Sequence, residues 1–342
     1  MDLLPSPDQL ELVGVASKFF AEQLPVSRIR QRRDEPGATT RTLWSAAAEL
    51  GLLGVSADED IGGLGLGLDD EVLLFGESGR QLVPGPFVAS VLGARLAART
   101  GQRDLARAIV GGDVLVGLAQ RRDGSATDGR SVTGRLDLFD APDTAYLLLA
   151  DAPGAGLLET SSLSDIRPVE CIDPGTRLAT AQADGVPVVS WVPGVDEPLR
   201  LRGMVLASAV LAGIAGAARD LSVEHAKNRV QFGRPIGVNQ AIKHACADMA
   251  VAAEAATAQT LFAAISLRSG RADAEFQVLA AKVMAGRAAI DNAAGCIQVH
   301  GGMGYTNEHD AHLYLKRAHV LDQFFGTGRD SLRGLLAAQP AL

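Results

Sequence analysis

Cysteine is scarce in this chain, and the little there is forms no framework. Cys171, Cys246 and Cys296 are odd in number and far apart. That excludes a disulfide scaffold and the short paired spacings of a zinc site, and it suits a reducing compartment. We therefore expect a cytoplasmic protein. Long basic runs are also missing, and the net charge is −8. A phosphate-neutralising grip on nucleic acid is thereby excluded. The start, Met1 to Asp8, lacks the basic segment and apolar stretch of a secretion signal, so none is expected. No window reads as long and apolar enough to span a membrane, and no membrane partner is expected. Internal repeats and low-complexity segments are absent. Ser208 has no Gly-x-Ser-x-Gly setting, so a serine nucleophile is not signalled.

What is present is a large apolar content, 47% of 342 residues, enough for two or three domains. Ser6-Pro7-Asp8-Gln9 reads as a helix start, with a capping Ser, a Pro at the first position and Gln where a capping box wants it. Leu12, Ala16, Phe19 and Phe20 follow at helical spacing, and Pro25 closes the helix. Further helices are expected over Thr40 to Leu50, Asp69 to Arg80 and within Pro86 to Thr100. Residues 1–110 thus read as a helical domain. From Gly111 the chain turns to short apolar runs split by Asp, Gly, Pro and Ser. Val114 to Ala119, Ala145 to Ala150 and Pro187 to Val192 read as strands of a small antiparallel β domain over 111–198. From Met204 helical periodicity returns. Segments up to Arg229, over Gln240 to Ser269, over Asp273 to Gln298 and over Glu308 to Phe325 predict a four-helix bundle within 199–342, with a short last helix from Asp330. The fold class is mostly α with a small β domain.

Two glycine-bearing segments carry the chemistry. In Arg229-Val-Gln-Phe-Gly-Arg-Pro-Ile-Gly-Val-Asn-Gln240, an Arg beside a helix break and a Gln opening the next helix can face one ligand. The guanidinium fork suits phosphate, and Phe232 adds an apolar face. Alone, this is equally a helix–turn–helix corner with a surface Arg. In Gln298-Val-His-Gly-Gly-Met-Gly-Tyr305, glycines let a backbone approach closely and bare N–H groups seat phosphate oxygens. Alone, it is a Gly-rich helix end. His309 and His312 invite a metal reading, but no third ligand is specified, so no metal is expected and a polar helix face is preferred. The Gly62-Gly-Leu-Gly-Leu-Gly67 loop follows an acidic stretch rather than a strand and reads as structural.

Together these segments resemble the flavin-contacting signature of the acyl-CoA dehydrogenase family. Trp44 with Glu49 to Gly54, and the Gly62 to Gly67 loop, extend the resemblance over nearly the whole chain. It implies a helical domain, a β domain and a four-helix bundle, with FAD as cofactor and an acyl-CoA as substrate. It further implies that Arg229, Phe232, Ile236, Gln240, Gln298, Gly301 and Gly302 hold the pyrophosphate and adenine side of FAD across a subunit interface.

The chain departs from that family where its proton-abstracting Glu belongs. The usual Tyr-Glu-Gly-Thr reads Phe324-Phe325-Gly326-Thr327 here, and the alternative position falls on Gly203 or its neighbour Arg202. No catalytic base is therefore assigned; Asp322 lies one turn before Phe325. The flavin-ring and thioester motifs of the β domain are also missing, from Val116 to Asp128 and from Arg135 to Asp140. We expect a base-less subunit of a heteromeric enzyme, of α2β2 type, with a second and complete family member as partner. The resemblance extends to bacterial two-chain assemblies acting on steroid side-chain CoA thioesters, hence to lipid and steroid degradation. A self-sufficient dehydrogenase with an unplaced base, and a scaffold without flavin, are the other two readings.

Overall fold

The computed structural model describes residues 3–32, 39–122 and 124–338. Six helices come first: α1 (Pro7–Gln23), α2 (Val26–Gln31), α3 (Arg41–Glu49), α4 (Leu68–Arg80), α5 (Phe87–Arg99) and α6 (Arg103–Val110). Seven strands follow: β1 (Val116–Arg121), β2 (Ala126–Thr127), β3 (Ser131–Phe139), β4 (Tyr146–Ala150), β5 (Gly154–Glu159), β6 (Ser164–Val169) and β7 (Leu178–Pro193). The rest is α7 (Leu199–Asn228), a β8 (Val230–Gln231) and β9 (Arg234–Pro235) hairpin, α8 (Gln240–Arg268), α9 (Ala274–His300), α10 (Ala311–Leu321) and α11 (Gly328–Ala337). The capping box at Ser6 is present, with Gln9 N–H donating to Ser6 Oγ at 3.2 Å and Ser6 N–H to Gln9 Oε1 at 2.9 Å.

Contacts divide the chain into two compact units. One comprises Met1–Gln31, Val72–Val83 and Met204–Leu342; the other comprises Arg32–Glu71 and Pro84–Gly203. The second unit holds the sheet. Its strand order is β2-β3-β1-β4-β5-β7-β6, and β3 also pairs with β7, so β3, β1, β4, β5 and β7 close into a barrel. Every pair is antiparallel except β1 with β4, which is parallel. The expectation of a purely antiparallel domain is corrected there. Alternate residues of the barrel strands point inward, and Val132, Leu136, Leu138, Leu147, Leu149, Leu158, Ala181 and Ala183 form the core.

That unit also contains a buried ion pair. Arg202 Nη2 donates to Glu71 Oε2 at 2.6 Å and to Ser56 Oγ at 2.7 Å, and Ser56 Oγ donates to Glu71 Oε1. Burial pulls the Arg202 guanidinium below its ordinary value, and the Glu71 carboxylate opposes that pull. Nearby, Glu197 receives both Arg95 at 2.9 Å and Arg99 at 3.2 Å.

In the first unit the bundle has three long helices and two short ones, since α10 has only 11 residues. It ends at Leu321, so Phe324 and Phe325 lie beyond it rather than inside it. Asn292, on α9, donates to Ala215 O at 3.1 Å and to Met249 O at 2.9 Å, tying α9 to α7 and α8. The absence of membrane-length segments does not hold for the described residues. α7 and α8 are both long and apolar enough to cross a membrane by composition. The apolar window of α7 is 94% buried, as befits a core helix, whereas that of α8 is 39% buried.

α4 and α7 cross without side chains between them. A Cβ on Gly213 would stand 1.9 Å from Gly76 O, and one on Gly79 would stand 2.0 Å from Val210 O. Only glycine permits that approach. Gly213→Ala is expected to lower stability by about 1–3 kcal/mol through overpacking. Gly14→Ala, where a Cβ meets nothing within 4 Å, should be neutral or slightly stabilising. Thermal unfolding of both variants checks this; equal midpoints would refute the close crossing.

Candidate functional site

The first arm of the site begins where α7 ends. Arg229 N–H donates to His225 O at 2.8 Å, and Ile236 N–H donates back to Arg229 O at 2.8 Å, closing the hairpin between them. Val230 pairs with Pro235 and Gln231 with Arg234, so Phe232-Gly233 is a two-residue turn. Its φ values are 52° and 77°, the left-handed pair of a type I′ turn. Phenylalanine is a strained choice there, at a cost of order 1–3 kcal/mol. Its side chain is also fully exposed, so no contact among the described residues repays the strain. Arg229 and Gln240 are exposed too, and neither side chain has a hydrogen-bond or ion-pair partner among the described residues, though the charge of Arg229 acts on His225.

The second arm is the end of α9. Gly301 takes φ 63° and ψ −146°, with its N–H on Gln298 O. A Cβ on Gly301 or Gly302 would meet nothing within 4 Å, so the space over this turn is open. Gly304 is the opposite case, since a Cβ there would stand 2.8 Å from the Cβ of His300. The turn is therefore folded down onto His300. Gln298 is exposed and unpartnered among the described residues.

Histidines join the two arms. The ring of His225, one turn before Arg229, lies 4.2 Å from that of His300, which immediately precedes Gly301. His300 in turn lies 4.4 Å from His309. Burial first, then the neighbouring imidazoles, push the pKa values of His225 and His309 below the ordinary value. Sequence reasoning grouped His309 with His312 on one helix face, but α10 starts only at Ala311. His312 turns inward, with both ring nitrogens unpartnered, while His309 joins the stack. The available signal was the placement of His225 one turn before Arg229 and of His300 one residue before Gly301. Among the described residues no cluster of three or more potential ligands could hold a metal.

The two base positions are occupied by other work. Phe325 sits at φ 60° with its ring 4% exposed, edge-on to Phe324 at 6.3 Å. Gly203 is buried within α7, and Arg202 beside it is committed to Glu71. Asp322 faces Lys282, with Nζ 3.7 Å from Oδ1, and its Oδ2 accepts the Gly328 N–H at 3.4 Å. Lys282 also caps the end of α10, donating to Leu321 O at 3.3 Å and to Asp322 O at 2.8 Å. Burial pushes its ammonium down to about 8, against the pull of Asp322. Asp322 is thus an anchor for the Phe324–Thr327 turn. The Gly62–Gly67 loop spends its amides on its own backbone: Leu64, Gly65 and Leu66 N–H donate to Gly54, Ala57 and Val55 O, each at 2.9 Å.

Comparison with known proteins matches two domain models, "Acyl-CoA dehydrogenase, N-terminal domain" over residues 6–111 and "Acyl-CoA dehydrogenase, C-terminal domain" over residues 201–339. Acyl-CoA dehydrogenase IpdE2 of Mycobacterium tuberculosis is 32% identical over 97% of this chain and 98% of its own. Acyl-CoA dehydrogenase FadE34 of the same organism is 36% identical over 88% of this chain, which spans only 42% of that longer protein. Among solved structures, a Tcur3481–Tcur3483 steroid ACAD variant superposes with a TM-score of 0.86 at 25% identity, over 96% of this chain and 97% of that one. The ChsE4–ChsE5 complex of M. tuberculosis gives 0.87 at 23% identity over 100% of both chains, a likeness of fold.

The stack has a consequence for stability. His225 and His309 are held below their ordinary value when folded, so the unfolded chain binds protons first as pH falls through about 6.5. Their contribution is fully present above that pH and is lost below it. The unfolding temperature should fall from pH 7.5 to 5.5, and His309→Gln should make the slope shallower. An unchanged slope in His309→Gln would show that the stack is not its source.

Proposed function

This chain belongs to the acyl-CoA dehydrogenase family, and from that premise we propose that it works as the base-less half of a two-chain FAD enzyme. The observation that carries the reading is an asymmetry. The residues that would grip a cofactor, Arg229, Phe232, Gln240, Gln298, Gly301 and Gly302, stand exposed. Both positions where the family carries its base hold groups that accept no proton, Phe325 and Gly203. A chain that exposes the grip and lacks the base suits a neighbour's flavin better than its own.

The exposed groups fit FAD. The Gly301–Gly302 turn, with open space above it, lets a diphosphate approach the backbone closely, although Gly301 N–H itself is spent on Gln298 O. The guanidinium of Arg229 adds a bidentate donor, and Gln240 and Gln298 add amides. Phe232 and Ile236, with an apolar groove of about 410 Å³ lined by Val223, Ala226, Pro235 and Ile242, offer a surface for the adenine edge. When bound, FAD supplies the acceptor for the substrate's β-hydride. The carboxylate that takes the α-proton comes from the partner subunit, because a base must lie within hydrogen-bond reach of that proton.

Assembly also has a surface to use. α8 is apolar yet less than half buried, and Val251 on it is 70% exposed. FadE34 is more than twice as long as the region this chain matches, so a sequence of this kind also occurs joined to further protein in one polypeptide. We propose an α2β2 arrangement with a complete family member, acting in the cytoplasm on a bulky acyl-CoA. A steroid acyl group is favoured by the steroid ACAD among the structural relatives.

The purified chain alone should be colourless, and its co-expressed complex with a complete family member encoded nearby should be yellow. In that complex, Arg229→Ala and Gln298→Ala should each lower retained flavin about tenfold, as expected for a lost charged or bidentate contact of about 1.5 kcal/mol. A chain that is yellow alone and bleaches with an acyl-CoA would overturn the proposal.

A further inference from the structure

We infer that the His225–His300–His309 stack is the positioning element of the phosphate seat, and that a diphosphate docking at Gly301–Gly302 draws a proton into it. The inference rests on the reading of Gly301 and Gly302 as that seat. Three separate pieces of chain meet in the stack: the end of α7, the end of α9 and the loop before α10. His300 is its middle ring, 8% exposed, with Nδ1 donating to Cys296 O at 2.8 Å. In the neutral ring that leaves Nε2 as the basic nitrogen. His309 Nδ1 accepts the Ala311 N–H at 3.1 Å, which fixes its tautomer too. The glycine turn rests on the Cβ of His300, and the Arg229 arm hangs from His225 O. A change in the stack therefore reaches both arms of the site.

The charges around the stack leave it short of a counter-ion. His225 faces His300, His309 and Arg229. His309 faces His300, Asp310 and Arg30, and Asp310 is already paired with Arg30 at 3.4 Å. The Cys296 thiol, 3.6 Å from His300 Nδ1, is pushed up to about 11 by burial and stays uncharged. The one carboxylate that acts on the stack, Asp310, is thus already engaged by Arg30. A diphosphate arriving one residue from His300 supplies the missing negative charge. Only about one proton follows, because a second would place like charges roughly 4 Å apart.

The test is calorimetry of the flavin-stripped two-chain complex with ADP as probe, at pH 6.5 and pH 8.5, each in two buffers of different ionisation enthalpy. The wild type should take up about half to one proton per ADP at pH 6.5 and close to none at pH 8.5. His300→Gln keeps a donor for Cys296 O but cannot gain the charge. It should lose most of the uptake while its affinity at pH 8.5 stays within threefold. His225→Phe, which keeps an aromatic ring in the stack, should lose part of it. ADP binding with no uptake, or the same uptake in His300→Gln, overturns the inference and leaves the seat standing. Absence of ADP binding, or binding that Gly302→Val fails to weaken, overturns the seat and the inference with it.

Discussion

The ring contact between His225 and His300 is the interaction on which the site depends. α7 and α9 end at the same place because their last turns carry these two rings, 4.2 Å apart. Behind them, Asn292 pins α9 to both α7 and α8 through backbone carbonyls, and the glycine crossing brings α4 against α7. Buried helices thus fix two flexible-looking arms, a hairpin and a glycine turn, relative to one another. The arms face outward, with the side chains of Arg229, Gln240 and Gln298 exposed. Neither arm alone differs from an ordinary helix end; set side by side by the histidines, they are the two arms of the proposed anion-and-aromatic site.

At the positions where the family carries its base, this chain holds other groups. The turn that would carry a base is still built, left-handed at Phe325 and anchored by Lys282 and Asp322, but an apolar ring fills the position. The alternative position is taken by a buried Arg202 locked to Glu71. Restoring a carboxylate at either place would mean burying a charge, beside an aromatic pair at Phe325 and within the buried start of α7 at Gly203. Both positions are thus committed to structure, and in the proposed reading the chemistry they lack comes from a partner subunit.

Much of this was legible in the residues. Ser6, Thr40 and Gly51 mark helix ends where they occur, and Arg229 to Gln240 and Gln298 to Tyr305 are the segments the fold joins. The strands were harder. β3 carries Gly134, Arg135 and Asp137 among its apolar residues, and β6 is exposed along its whole length, so neither shows an apolar run. Their pairing is decided by barrel closure, a long-range constraint that no local window contains. The parallel β1–β4 pair was hidden for the same reason. Alanine misled in the other direction, making α7 and α8 more apolar by composition than the sequence reading allowed. The histidine stack was missed because its members lie 75 and 9 residues apart (225 to 300, then 300 to 309) and meet only in the bundle.

The central claim is that this chain completes a neighbour's flavin site and has none of its own. Native mass spectrometry of the co-expressed assembly counts flavin and chains together. The account predicts one FAD for every two chains, two in an α2β2 assembly, and none on the isolated chain. One FAD per chain, in the assembly or in a homomer of this chain, would contradict it.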